Sequence, residues 1–88
     1  MKHASHGTIA LRLKRAEGHL RSIITMIEEG RPCLDIAQQM HAVEKAITNA
    51  KREMIHDHIG HCLEDAGGAS KRGARETLAE FKAISKYL

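Results

Sequence analysis

From Thr8 to Glu29 the apolar residues Ile9, Leu13, Ala16, Leu20, Ile23 or Ile24, and Ile27 recur at steps of three and four. That spacing is one stripe of an amphipathic helix, and Gly30 with Pro32 ends it. Its other side carries Arg12, Lys14, Arg15, His19 and Arg21, of which Arg12, Arg15 and His19 share one row. Gly18 costs up to about 1 kcal/mol in a helix interior, a cost that close approach of another backbone would justify. A second helix opens near Pro32 or Cys33, where Pro suits the first turn and Asp35 the positive end of the helix dipole. Its stripe runs through Ile36, Met40, Val43, Ile47, Ala50 and Met54 to His58 and Cys62, and stops at Gly67–Gly68. This helix is more than thirty residues long, with Gly60 as its weak point. A third, roughly Ser70 to Tyr87, places Ala74, Leu78, Phe81, Ile84 and Leu88 on one side and leaves Lys71, Arg72, Arg75, Lys82 and Lys86 in water.

Phe81 and Tyr87 are the only aromatic residues, a composition that favours packed helices over sheets. The expected fold is all-α: one domain over residues 1–88, three helices, residues 1–7 a flexible tail. A chain of 88 residues buries little of its own surface, so association with further copies is expected. No run of about 18 apolar residues is present and the N-terminus lacks the apolar core of a secretory signal. The expected compartment is the cytoplasm, where two cysteines read as ligands or reactive thiols rather than a disulfide. The net charge of +3 is unevenly spread. Lys and Arg against Asp and Glu number six to three in residues 1–32, three to six in 33–66 and five to two in 67–88. Such a distribution serves nucleic acid or a solvated basic face.

Candidate chemistry concentrates in "IHDHIGHCLED", Ile55 to Asp65. His58 and Cys62, four residues apart, stack on one helical face and can hold an ion between them. Cys33 continues the same stripe, but 25 residues earlier, which at the helical rise is about 37 Å away. One rigid helix cannot close that gap. Two copies packed antiparallel about a two-fold axis near Ile47 can, with Cys33 of one chain beside His58 and Cys62 of the other. The alternative is that these three residues fill a helical interface, the thiols acting as small hydrophobes. His3 and His6, in the tail, are possible additional ligands, and "MKH" is a possible amino-terminal chelate for Ni(II) or Cu(II).

The run "RLKRAEGHLRSIITMIEEGRPCLDIAQQMHAVEKAI", followed by "HDHIGHC", resembles the CsoR/RcnR family of small helical repressors that sense copper, nickel, cobalt or formaldehyde. The similarity covers roughly Ile9 to Tyr87. It implies an antiparallel dimer pairing into a tetramer, a metal held across the dimer interface, and repression of metal-efflux genes that the metal relieves. Cys33, His58 and Cys62 match the Cys-His-Cys ligands of the Cu(I) sensors, and Glu80 in "LAEFK" matches their outer-shell glutamate. Pro32 stands where copper members often have tyrosine. Asn49 stands where some have a DNA-contacting arginine, leaving Lys51 and Arg52 as substitutes. By the same resemblance Arg12, Lys14, Arg15 and His19 form a surface for the phosphates of double-stranded operator DNA.

Two thiolates and one imidazole satisfy Cu(I), the favoured metal, whereas Ni(II) or Co(II) needs more ligands, such as His3, His6 or the amine. A thiol-based repressor responding to formaldehyde or sulfur species is a further reading. A carrier protein would need no cationic face. An enzyme is not expected: Asp57 and His61 are nominal acid–base candidates without a cleft.

Overall fold

A computed structural model describes the backbone of residues 6–68 and 71–88 and the side chains of residues 6–60 and 75–88. The described residues form three helices, α1 (His6–Glu28), α2 (Cys33–Gly68) and α3 (Lys71–Ser85), in the expected all-α order. α1 opens at His6, so His6 and Gly7, expected in the tail, belong to the helix. Neither residue is apolar, and the hydrophobic repeat alone could not include them. α2 runs through Gly60 without interruption.

α1 ends in a Schellman motif. Gly30 adopts φ +70°, its N–H donates to the Ile27 carbonyl at 3.1 Å, and the Arg31 N–H donates to Met26 at 3.0 Å. The chain then turns at Pro32, whose carbonyl accepts the first hydrogen bond of α2 from the Ile36 N–H at 3.2 Å. This short turn lays α1 antiparallel along the N-terminal part of α2. α3 packs against α2, and α1 and α3 share no packed face among the described residues. The result is a rod of 59 × 23 × 14 Å.

Such a shape encloses little. Among the described residues only Ile9, Ala16, Ile23, Val43, Ala50 and Ile55 are buried. Ala16, Ile23 and Val43 pack together, with Ile36 against them. The stripes expected from the sequence therefore split. Ile9, Ala16 and Ile23 on α1 meet Val43 and Ala50 on α2, whereas Leu13, Leu20 and Ile27 on α1 and Met40, Ile47 and Met54 on α2 remain exposed. Leu78 and Leu88, expected on the packed side of α3, are also exposed. Gly18 departs from expectation too: a Cβ there would meet nothing within the protomer. Among the described residues no helix is long and apolar enough to cross a membrane.

Candidate metal centre and DNA face

Cys33 is the first residue of α2 and its thiol is exposed. His58 lies seven turns further along the same helix, its side chain 20% exposed, with Nε2 3.1 Å from Oε1 of Glu80 on α3. The α2–α3 contact thus places a carboxylate against one ring nitrogen. Cys62 belongs to α2, but its side chain and the whole of His3 lie outside the described residues. Among the described residues no three His, Cys, Asp or Glu side chains of one protomer are grouped to hold a metal ion. The uninterrupted α2 keeps Cys33 and His58 about 37 Å apart along its axis.

The basic row of α1 faces α2 across a shallow groove of about 440 Å³ lined by Arg12, Arg15, Ala16, His19, Ala46 and Asn49. Two of its members are tied down. Arg12 is ion-paired with Glu53, and Nε2 of His19 lies 2.6 Å from Oε1 of Gln39. Arg15 is exposed and makes no such bond to a described residue. Asn49 also borders a second groove of about 310 Å³ with His41, Glu44, Lys45, Thr48 and Arg52, so the two depressions form one polar surface, with Glu44 at its edge. The structure divides the remaining sequence candidates. Arg52 lies on this surface, whereas Lys51 sits beside Ile9, Leu13, Ile47, Ala50 and Met54 on the apolar side. Lys14 is about 200° around α1 from Arg12, on the side away from the groove. Sequence reasoning missed Glu53 and Gln39 as partners of the basic row, because the choice of partner depends on interhelical register.

Residues 5–86 match the profile of the family described as metal-sensitive transcriptional repressor. The chain is 40% identical over 80 residues to the copper-sensing transcriptional repressor CsoR of Bacillus subtilis (strain 168), covering 89% of this chain and 79% of that protein. It is 36% identical over 86 residues to the copper-sensing transcriptional repressor RicR of Mycobacterium tuberculosis (strain ATCC 25618 / H37Rv), covering 91% and 90%. Its fold is similar to that of the nickel-responsive transcriptional regulator InrS, with a TM-score of 0.83, 31% identity and coverage of 100% and 98%. A three-helix rod with a largely buried histidine beside a carboxylate and a cationic groove along its first helix is thus accompanied by sequence matches over nearly its whole length, and the chain belongs to the family of metal-sensitive transcriptional repressors.

Proposed function

We propose that the protein binds operator DNA in its metal-free form and releases it on binding a transition metal, with Cu(I) as the favoured inducer and metal-efflux genes as the targets, in the cytoplasm. The observation that carries this reading is the separation of Cys33 from His58, which has Glu80 beside it, by about 37 Å along one uninterrupted helix. Cys33 of one chain joins His58 and Cys62 of its partner, giving two equivalent sites in an antiparallel dimer, which pairs into a tetramer. The donors suit the ion, since two thiolates and one imidazole form a complete soft set for Cu(I). Glu80 beside Nε2 favours the proton on that nitrogen, leaving the Nδ1 lone pair of His58 as the donor. A bound metal supplies a bond between the ends of two chains, and differential affinity for two quaternary states then lowers DNA affinity, with coupling of about 1–3 kcal/mol.

Arg12, Arg15 and His19, with Arg52 across Asn49, contact phosphates. The apolar rows centred on Leu20 and Ile47 are covered by the partner. The relatives named copper-sensing support the choice of metal. Mixing Cys33→Ala subunits with His58→Ala subunits tests the shared site: heterodimers should regain one of two sites. Assembly without any recovered metal binding overturns it.

A nickel or cobalt response is the second reading, favoured by one observation. Ile9 and Arg12 lie beside Met54 and Glu53, so the N-terminal end of α1, with His6, runs towards the His58 end of α2. The likeness to nickel-responsive InrS agrees with it. In that case His6, His3 or the amine completes the larger shell. Titration of operator complexes with Cu(I) and Ni(II), for the full chain and for a His3→Ala/His6→Ala variant, separates the two. The copper reading requires DNA release by Cu(I) in both proteins; release by Ni(II) alone, lost in the variant, replaces it.

A further inference from the structure

The outward side of α2 reads alike from both ends. Met40 and Met54 flank Ile47 at seven residues on either side, all three exposed. Further out stand Cys33 on one side and the His58–Cys62 pair on the other. Between these levels lies a third matched pair, this time of opposite charge: Glu44, three residues before Ile47, and Lys51, four residues after it. At about 100° per residue Glu44 is rotated about 60° from Ile47 and Lys51 about 40°, both in the same sense. They share one edge of the apolar row.

A two-fold axis perpendicular to α2 at Ile47 reverses the helix direction and keeps each edge on the same side of the pair. Lys51 then stands opposite the partner's Glu44 with an axial offset of about 1.5 Å. Within the protomer neither residue forms an ion pair with a described residue. Lys51 lies along the apolar rim formed with Ile9, Leu13, Ile47 and Met54, as expected of a lysine whose stem is covered while its ammonium reaches past the edge. The second copy is the occupant that supplies a carboxylate at that position.

We propose that Lys51 pairs with the partner's Glu44, twice per dimer, and that these two ion pairs set the register of the antiparallel α2 helices. This rests on the shared-site dimer proposed above. The apolar row alone does not define that register. A slip that moves the axis by half a heptad brings Ile47 against Met54 and still buries apolar surface, but it parts Lys51 from Glu44. Ion pairs at the edge of an apolar seam discriminate between registers that the seam tolerates. Lys51 is thereby removed from the DNA contacts and assigned to assembly.

The test uses the full chain with Glu44→Lys, Lys51→Glu and the double exchange. Self-association is followed by sedimentation, helical content by circular dichroism, and DNA affinity across a range of salt. Each single change puts like charges together twice and should weaken association by about tenfold or more, while the exchange should recover to within about threefold of the original protein. Unaltered protein provides an independent check: in a mixture of isotopically light and heavy chains, zero-length carbodiimide coupling should yield a mixed-mass peptide joining Lys51 to Glu44. Absence of both the rescue and the mixed peptide, in a protein that still assembles and shares its metal site, overturns the pairing alone. Intact association in Lys51→Glu with a lower DNA salt slope makes Lys51 a phosphate contact instead. A wild-type chain that sediments as a monomer with an intact metal site overturns the shared-site reading and the pairing together.

Discussion

The two flanks of the α1–α2 hairpin differ in how far their side chains are already committed. On the polar flank Arg12 is held by Glu53 and His19 by Gln39, so the protomer itself positions two of the side chains that line the groove. The apolar flank, with Leu13, Leu20 and Ile27 beside Met40, Ile47 and Met54, remains exposed among the described residues. Charged groups in water find partners at short range with little net gain, about 0–1 kcal/mol for an exposed pair. Apolar surface gains only by leaving water, roughly 25 cal/mol per Å², and a rod of two helices leaves one side uncovered. Two side chains of the polar flank are therefore positioned within the protomer, whereas cover for the apolar flank would come from the second copy of the proposed dimer.

The sharpest way to break this contrast is Ile47→Asp. In the proposed dimer a carboxylate at the centre of the apolar row would face its own copy across the two-fold, and self-association should fall by at least about a hundredfold, taking metal binding with it. Sedimentation and a metal titration on the same sample check this; a variant that still assembles and binds metal places the interface elsewhere. A smaller effect separates the two arginines on the polar flank. Arg15→Ala should lower the slope of log DNA affinity against log salt by about one per lost contact. Arg12→Ala should lower affinity as well, because it leaves Glu53 unneutralised beside the groove. Conversely, Glu53→Gln should tighten DNA binding by a few-fold, as one negative charge leaves a phosphate-binding surface. Weaker binding by Glu53→Gln would mean that the ion pair positions Arg12 rather than competing for it.

Gln39→Ala should cost about 1 kcal/mol of unfolding free energy through the lost bond to His19, without changing self-association. The smallest change is Gly18→Ala, for which the structure leaves open space. It should raise stability by up to about 1 kcal/mol in thermal or urea unfolding. A loss instead would show that a neighbouring copy approaches α1 at that point.

The helices were legible because their periods are long and their punctuation is strong. Gly30 and Pro32 bracket the turn, and the α2 repeat continues past Gly60 far enough to outweigh one glycine. What the repeat does not reveal is which half of a broad stripe α1 covers. Val43 and Ala50 are buried while Met40, Ile47 and Met54, in the same repeat, are not. Ile55, the most deeply buried large side chain, lies off the stripe altogether. Its burial is a matter of tertiary packing that the repeat does not encode. The separation of Cys33 from His58 was readable from helical rise alone, and so was the expectation that the two act between chains. The division of Lys51 from Arg52 was not, since neighbours in sequence diverge by about 100° around a helix and only the position of α1 shows which flank each one joins.

The turn at Gly30 also has a kinetic consequence. Four residues, 29–32, separate α1 from α2, so the contacts of this hairpin link nearby parts of the chain. Closing so short a loop takes about 10–100 ns, and helix-rich, locally connected domains fold in microseconds to milliseconds. In the proposed dimer, bringing two chains together depends on their concentration and becomes slower on dilution. In dilution jumps the helical signal should therefore appear in a fast phase independent of protein concentration, followed by a slower one whose rate scales with it. The refolding clock is then set by encounter rather than by the chain's own search.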